Sequence, residues 1–277
     1  ARLTADGKLD TSYHGPTFGM QISHSLLLPE NSLIVQGAYA VNSLLRYDIN
    51  GEIDSSFQSG YGIGGFATCS DYFPDSSFIL GGSFNSYDTS SFIGNITKIK
   101  YSGQIDTSFH SGSGFNGSVS HLKVQPDGKI LAAGTFSSYN GQLVNPVIRL
   151  NPDGSIDPGF SIVTPVSDHV TSVELLDNGK ILIAFQNTNP HITYFRRLLA
   201  NGAVDPSFQE GIVTSGYIGS SHSLDDGSIF ISGAYNYNTL ATNGFLKLSM
   251  DGVPDTPFNQ THSSDQAITT FIAVNDS

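Results

Sequence analysis

The chain has 277 residues, a formal charge of −12, 13% charged residues, 30 Gly, 12 Pro, 18 Phe, 12 Tyr and no Trp. So much negative charge repels a phosphate backbone, which proteins hold through clustered Lys and Arg, and nucleic acid is excluded as a partner. No apolar run approaches about 18 residues, so no membrane-inserting helix is expected, and Cys69, the single cysteine, permits no intrachain disulfide.

Taken in order, the opening Ala1 to Tyr13 reads as the last two strands of a repeat already under way, so the chain is expected to be a domain of a longer protein. Hairpins follow at Ser25 to Tyr39 around Glu30-Asn31, Cys69 to Phe84 around Asp75-Ser76, and Val119 to Phe136 around Asp127-Gly128. Two more lie at Thr171 to Gln186 around Asn178-Gly179 and Ser221 to Tyr235 around Asp226-Gly227. In each, apolar residues alternate on both sides of a turn pair that tolerates positive φ, the signature of a β-hairpin. The closing Ala267 to Ser277 matches the first strand of a further hairpin. No segment carries a useful helical period, and Gly, Asn and Ser punctuate every candidate.

Between the hairpins runs a twelve-residue motif in six copies: Arg2 to Tyr13, Arg46 to Phe57, Lys98 to Phe109, Arg149 to Phe160, Arg197 to Phe208 and Lys247 to Phe258. Each copy begins on a basic residue and keeps Gly at the sixth place, Asp at the ninth and Phe or Tyr at the twelfth. The aspartates Asp10, Asp54, Asp106, Asp157, Asp205 and Asp255 lie 44, 52, 51, 48 and 50 residues apart. With the turn glycine between them, the basic residue and the Asp are predicted to face each other across a hairpin, a pair that contributes roughly 0.2–1 kcal/mol. Calcium needs six to eight oxygens from one tight loop. Asn50, Ser102 and Asn201 stand where a first carboxylate would be required. The motif is therefore read as structural, with its aromatics packed between repeats.

A period near 50 residues built of strands predicts an all-β fold, a β-propeller of four-stranded blades. The expected ring is a single domain over residues 1–277, with six blade positions and the two terminal segments closing it; five blades is the alternative. Gln125-Pro126-Asp127-Gly128-Lys129-Ile130-Leu131, then Gly134-Thr135-Phe136 and Arg149 to Asp157, resembles the delta-sixty repeat of β-propeller domains. The resemblance covers nearly the whole chain and is weakest in the fourth unit, where Phe185-Gln186-Asn187 replaces Gly-x-Phe. It implies a setting in bacterial surface, secreted or phage tail proteins, and it carries over no catalytic residues.

Six places before each hairpin turn stand His24, Cys69, His121, Ser172, Ser220 and Thr270, a ring expected to line a central channel. His24, Cys69 and His121 are weak metal candidates, since a tetrahedral site needs four converging ligands or three and a water; a polar lining is preferred, and no metal or other cofactor is expected. The carboxylates outside the motif, Asp71, Asp88, Asp168, Glu174, Glu210 and Asp225, are scattered, and no nucleophile elbow, zinc-protease helix or phosphate loop is present.

A non-enzymatic module is therefore expected, with a propeller hydrolase or lyase using acids such as Asp71 and Glu174, or a fibre spacer, as alternatives. Function is sought in the variable rim loops, where Tyr beside Asn, Asp and Ser suits sugar or protein contact. The predicted ligand contacts are Tyr87, Asp88, Tyr139, Asn140, His191, Tyr235, Tyr237 and Asn238. For Tyr87 and Tyr139 a second reading stays open, in which the ring packs on the next blade. The expected partner is a cell-surface glycan or protein, the expected location extracellular, on a cell surface or a virion, and oligomerisation through flanking regions is allowed.

Overall fold

The computed structural model describes residues 2, 4, 6–14, 22–37, 44–91, 93–162, 169–188, 191–224, 226–237 and 240–261. It is nearly all β and falls into two compact units, one of residues 1–144 with 149–156, the other of residues 145–148 with 157–277. The predicted closing strand at 267–277 lies outside the described residues.

The predicted hairpins are present as antiparallel pairs. In the first unit they are β1 (Ile22–Leu27) with β2 (Leu33–Gly37) and β4 (Ile63–Tyr72) with β5 (Phe78–Tyr87). Each gains a further strand, β3 (Leu44–Tyr47) on β2 and β7 (Ile96–Ile99) on β5, while the short β6 (Ser90–Ser91) also pairs with β5. The third repeat is β8 (Val119–Val124), β9 (Ile130–Gly134) and β12 (Val147–Leu150), with β10 (Ser138–Tyr139) and β11 (Gln142–Leu143) forming a small ribbon beside it. The middle strands β2, β5 and β9 are buried nearly throughout, as their apolar runs require of a strand covered on both faces. One core cluster gathers Leu28, Ile34, Leu44, Ile63, Phe78, Leu80, Phe84 and Ile99 from neighbouring hairpins.

In the second unit β13 (His169–Leu175), β14 (Ile181–Thr188), β15 (His191–Leu198), β16 (Gly211–Ser223), β17 (Ile229–Tyr237) and β18 (Leu240–Leu248) form one continuous six-stranded sheet. Separate blades were expected here. The merger comes from the length of β16, whose first residues extend beyond its hairpin and pair Thr193 with Val213 and Phe195 with Gly211. Its core holds Leu182, Phe195, Phe208, Ile229, Ile231, Leu246 and Leu248.

The predicted fourth strand is reduced to single bridges at Tyr47–Ile53, Ile99–Ile105, Leu150–Ile156, Leu198–Val204 and Leu248–Pro254. The ninth-place aspartate ends it. Asp54 accepts the backbone N–H of Ser56 at 2.8 Å and its hydroxyl at 2.6 Å, and Asp10, Asp106 and Asp205 do the same with Ser12, Ser108 and Ser207. Such Asx turns compete with the sheet ladder for backbone donors. In the sixth copy Pro257 stands at this serine's place and has no N–H to give. The chain instead winds into the short helix α1 (Thr256–Thr261), whose third turn residue, Phe258, donates its N–H to Asp255 at 3.1 Å.

The basic residue of the motif does more than face its aspartate. Arg46–Asp54 at 2.6 Å, Lys98–Asp106 at 3.1 Å and Arg197–Asp205 at 2.6 Å are ion pairs, as predicted. But Arg46 and Arg197 are each only 2% exposed, so these are buried groups and not the surface pairs of the sequence estimate. Arg2, Arg46 and Arg197 also donate to the carbonyls of Ile49, Tyr101 and Met250, each two residues before the turn glycine of the next copy. In the first five copies the residue after the motif aromatic donates its N–H to the residue before the next copy's turn glycine, as Gln58 does to Ser102 at 2.7 Å and Gln209 to Asp251 at 2.8 Å. Consecutive motifs are thereby fastened to one another.

Candidate recognition surface

The predicted channel positions share one backbone device. The first strand of every hairpin carries a β-bulge, between Ile22 and His24, Ala67 and Cys69, Val119 and His121, Val170 and Ser172, and Ile218 and Ser220. His24, Cys69, His121, Ser172 and Ser220 each stand just after it; a bulge re-aims the residues at its end. The side chains of His24, Cys69, His121 and Ser172 are tied to their surroundings. His24 Nε2 and the Ser70 hydroxyl share a hydrogen bond of 2.7 Å, the Cys69 thiol points at the Val119 carbonyl 3.5 Å away, and Ser172 bonds Ser221 at 2.6 Å. His121 Nδ1 lies 2.9 Å from the Ser120 hydroxyl. Burial lowers the His24 pKa and raises the Cys69 thiol to about 12, so both favour their neutral forms. Among the described residues no group of three or more His, Cys, Asp or Glu side chains is placed to hold a metal ion.

Two residues beyond this position, Asp71 and Glu174 reach the next hairpin of their own unit. Asp71 accepts the Val124 N–H at 2.7 Å; Glu174 accepts the Ser223 N–H at 3.2 Å and lies 3.5 Å from His222 Nδ1. Burial raises the Asp71 carboxyl, opposed by the Val124 and Tyr72 N–H groups and Lys123. Glu210 pairs with Arg196 where β15 meets β16, its Oε2 3.3 Å from Nη2. Asp168 and Asp225 lie outside the described residues.

The rim residues divide. Tyr87 and Tyr139, each 1% exposed, donate their phenols to the carbonyls of the turn glycines Gly103 and Gly154 at 2.6 and 2.7 Å. They are packing residues, and the rim-contact reading of these two tyrosines is corrected: a ring with no exposed face stacks on no ligand. Asp88 and Asn140 hold positive φ, 49° and 51°, and are exposed, yet both fold back on the loop before their hairpin. Asp88 accepts the Tyr61 N–H at 3.1 Å, and Asn140 the Ser113 N–H at 2.7 Å. His191 opens β15, and Tyr235 and Tyr237 end β17; their side chains, and Asn238 entirely, lie outside the described residues.

What the sequence reading missed is a set of exposed aromatics, Tyr61 at 70%, Phe66 at 56%, Tyr72 at 41% and Tyr101 at 40%. The available signal was local: Tyr61 sits between Gly60 and Gly62, both at positive φ, where the loop turns its side chain outward. An open groove of about 420 Å³ is lined by Gly64, Ser83, Phe84, Asn85, Gly94, Asn95, Ser113 and Phe115, and Phe66 is the cross-strand partner of its Ser83.

This architecture of strand repeats, fastened turn to turn and carrying loops between, belongs to the all-β repeat class. The chain matches the family described as a domain of unknown function, β-propeller (DUF5122), over residues 125–160 and 224–258. Among solved structures, Kuenenia stuttgartiensis hydrazine synthase matches at 14% identity and a TM-score of 0.56, over 86% of this chain and 64% of that one. The extracellular domain of a one component system from B. thetaiotaomicron matches at 16% identity and a TM-score of 0.48, over 87% of this chain and 29% of that one. The chain thus spans less than two thirds of either structure, and the likeness to hydrazine synthase is one of fold. No curated protein sequence matches. Among the described residues no helix is long and apolar enough to cross a membrane.

Proposed function

We propose that the chain is a non-enzymatic recognition module: one β-propeller, closed as a ring of about six repeats, that binds a cell-surface glycan or protein through its loops. The carrying observation is a division of labour. Side chains suited to acid–base or metal chemistry, such as Asp71, Glu174, His24 and Cys69, bond neighbouring strands, while Phe66 stands exposed across from Ser83 and Tyr61 stands exposed on the loop held by Asp88. Exposed rings beside hydroxyl and amide groups are the makings of an adaptable contact surface. The delta-sixty resemblance favours an extracellular setting, on a bacterial surface or in a phage tail. The net charge of −12 disfavours nucleic acid.

A glycan array and a pull-down on intact bacterial cells test the reading. Retention on a glycan or on cells without turnover supports it. Release of soluble product from a bound polysaccharide, or no retention on either, overturns it.

A further inference from the structure

The second and third repeats make the same rim contacts, with Tyr87 answering to Tyr139, Asp88 to Asn140 and Ile63 to Phe115. They differ in how the rim loop is held. In the third repeat Asn116 locks the rim loop to the strand before it: its Oδ1 accepts the N–H groups of Ser137 and Ser138, both at 2.9 Å, and its Nδ2 donates to the Ser137 hydroxyl at 3.0 Å. Ser118 beside it donates to the Gly82 carbonyl at 3.3 Å. The corresponding residues of the second repeat are Gly64 and Phe66.

Gly64 has no side chain to make the lock. Among the described residues the amide of Asn85 and the hydroxyls of Ser83 and Ser86 make no side-chain hydrogen bond, and the groove of about 420 Å³ opens at Gly64, Ser83 and Asn85. That size is within the range of small-molecule sites, about 300–1,000 Å³. The walls are fixed: Asn95 accepts the Phe84 N–H at 2.9 Å and donates to the Phe115 carbonyl at 3.0 Å. Gly94 and Gly114 touch so closely that a Cβ on either would lie 2.0–2.2 Å from a backbone oxygen of the other segment. Phe66 is the direct cross-strand partner of Ser83 in β4 and β5, so the exposed ring and that hydroxyl stand on one face. Among the described residues no charged side chain lines the groove.

We propose that this groove binds a neutral oligosaccharide, Phe66 stacking on the C–H face of a sugar ring while Ser83 and Asn85 bond its hydroxyls. Unpaired hydroxyl and amide groups suit a ligand rich in hydroxyls, and an uncharged lining on an acidic protein suits neither an anionic nor a cationic one. The inference rests on the recognition reading above and names its ligand class and place.

The test titrates linear pentasaccharides of α-1,4-glucose, β-1,4-glucose, β-1,4-xylose, β-1,4-mannose and β-1,4-N-acetylglucosamine, with polygalacturonate as the anionic probe, by calorimetry. Gly64→Asn restores the residue type of the third repeat; Gly64 is not at positive φ, and a Cβ there meets side-chain atoms alone, the movable hydroxyl of Ser86 at 1.9 Å, the Ser86 Cβ at 3.3 Å and the Asn85 Oδ1 at 3.5 Å. Expected is binding of a neutral pentasaccharide, weakened about tenfold or more by Phe66→Ala and by Gly64→Asn but not by Tyr72→Ala, which removes an exposed ring elsewhere on β4. Near-UV dichroism verifies that each variant is folded. Undiminished binding by both groove variants overturns the site and leaves the recognition reading standing. Binding of polygalacturonate alone overturns the ligand class. Binding of no probe overturns the groove proposal, while the recognition reading falls only with negative array and cell assays as well.

Discussion

Asp71 in β4 accepts the backbone N–H of Val124 in β8 at 2.7 Å, across the gap between two hairpins. Glu174 holds Ser223 in the same way, and these acids are the ones a hydrolase would have been expected to use. Burial raises the Asp71 carboxyl above its ordinary 3.8, so the folded chain holds this proton to higher pH than the unfolded chain does. The group's contribution to stability is full below 3.8 and declines as pH rises through the raised value. Asp71→Asn keeps an acceptor oxygen and discards the buried charge, and is expected to be at least as stable as the wild type at pH 7. Asp71→Ala leaves the Val124 N–H unpaired and is expected to cost about 1 kcal/mol. Urea unfolding at pH 7 separates them; equal destabilisation of both variants would sink the assignment of Asp71 as a neutral-tolerant clamp.

Asp54 has the opposite sign. The Ser56 hydroxyl, then Arg46 and the Ser56 N–H, outweigh burial and hold its carboxyl down to about 2. Its stabilisation is therefore present above 3.8 and disappears as pH falls through about 2. Arg46→Ala removes the pair, the donor to Tyr101 and the contacts with the rings of Phe57 and Tyr101. It is expected to cost about 3 kcal/mol at pH 7 and to shrink the acid-dependent loss between pH 4 and 2. Arg46→Lys is expected to recover only part, since an ammonium cannot serve the carboxylate and the carbonyl as a planar fork does. Stability against pH by denaturant unfolding decides, and an unchanged acid limb in Arg46→Ala counts against the pairing.

Alternation about Asp-Gly turns was enough to place the hairpins, and the repeat spacing was enough to pair Arg46 with Asp54. The rest depended on backbone competition that a pattern of apolar residues does not display. Ser56 and its counterparts were in view, but their effect was to end the fourth strand, and Pro257 in the same place made a helix. Tyr87 and Tyr139 looked like loop residues because their neighbours are polar; their hydroxyls find the turn glycines 15 or 16 residues on, a contact set by tertiary packing. The groove was legible only as a difference, Gly64 and Phe66 against Asn116 and Ser118, and its meaning needed the bonds of Asn116 to be seen.

Two glycines separate backbone strain from crowding. Gly141 has φ 74° and nothing within 4 Å of an added Cβ, so Gly141→Ala is expected to cost about 1–2 kcal/mol, the left-handed penalty alone. Gly103 has φ 92°, and its Cβ would lie 2.7 Å from the Gln58 nitrogen. Gly103→Ala therefore adds a backbone clash in the joint between two motifs and is expected to cost about 4 kcal/mol. Thermal and urea unfolding of the pair test this; similar losses would mean that the joint gives way without cost.

Cys69 reports on the joint between the second and third hairpins. Its thiol is raised to about 12 by burial, with the Thr68 side chain and the Gly81 N–H only partly opposing, and its sulfur rests 3.5 Å from the Val119 carbonyl. Thiolate is the reactive form, so in the folded chain both access and ionisation are withheld. Ellman's reagent at pH 8 is expected to leave the native protein unmodified over minutes and to titrate one thiol per chain in urea. Because labelling then requires opening, its slow native rate should rise in Gly103→Ala by about tenfold for every 1.4 kcal/mol of stability lost if the whole unit opens together. A native rate near that of a free thiol would show that β4 and β8 part readily, and the clamp by Asp71 would have to be abandoned with the burial of Cys69.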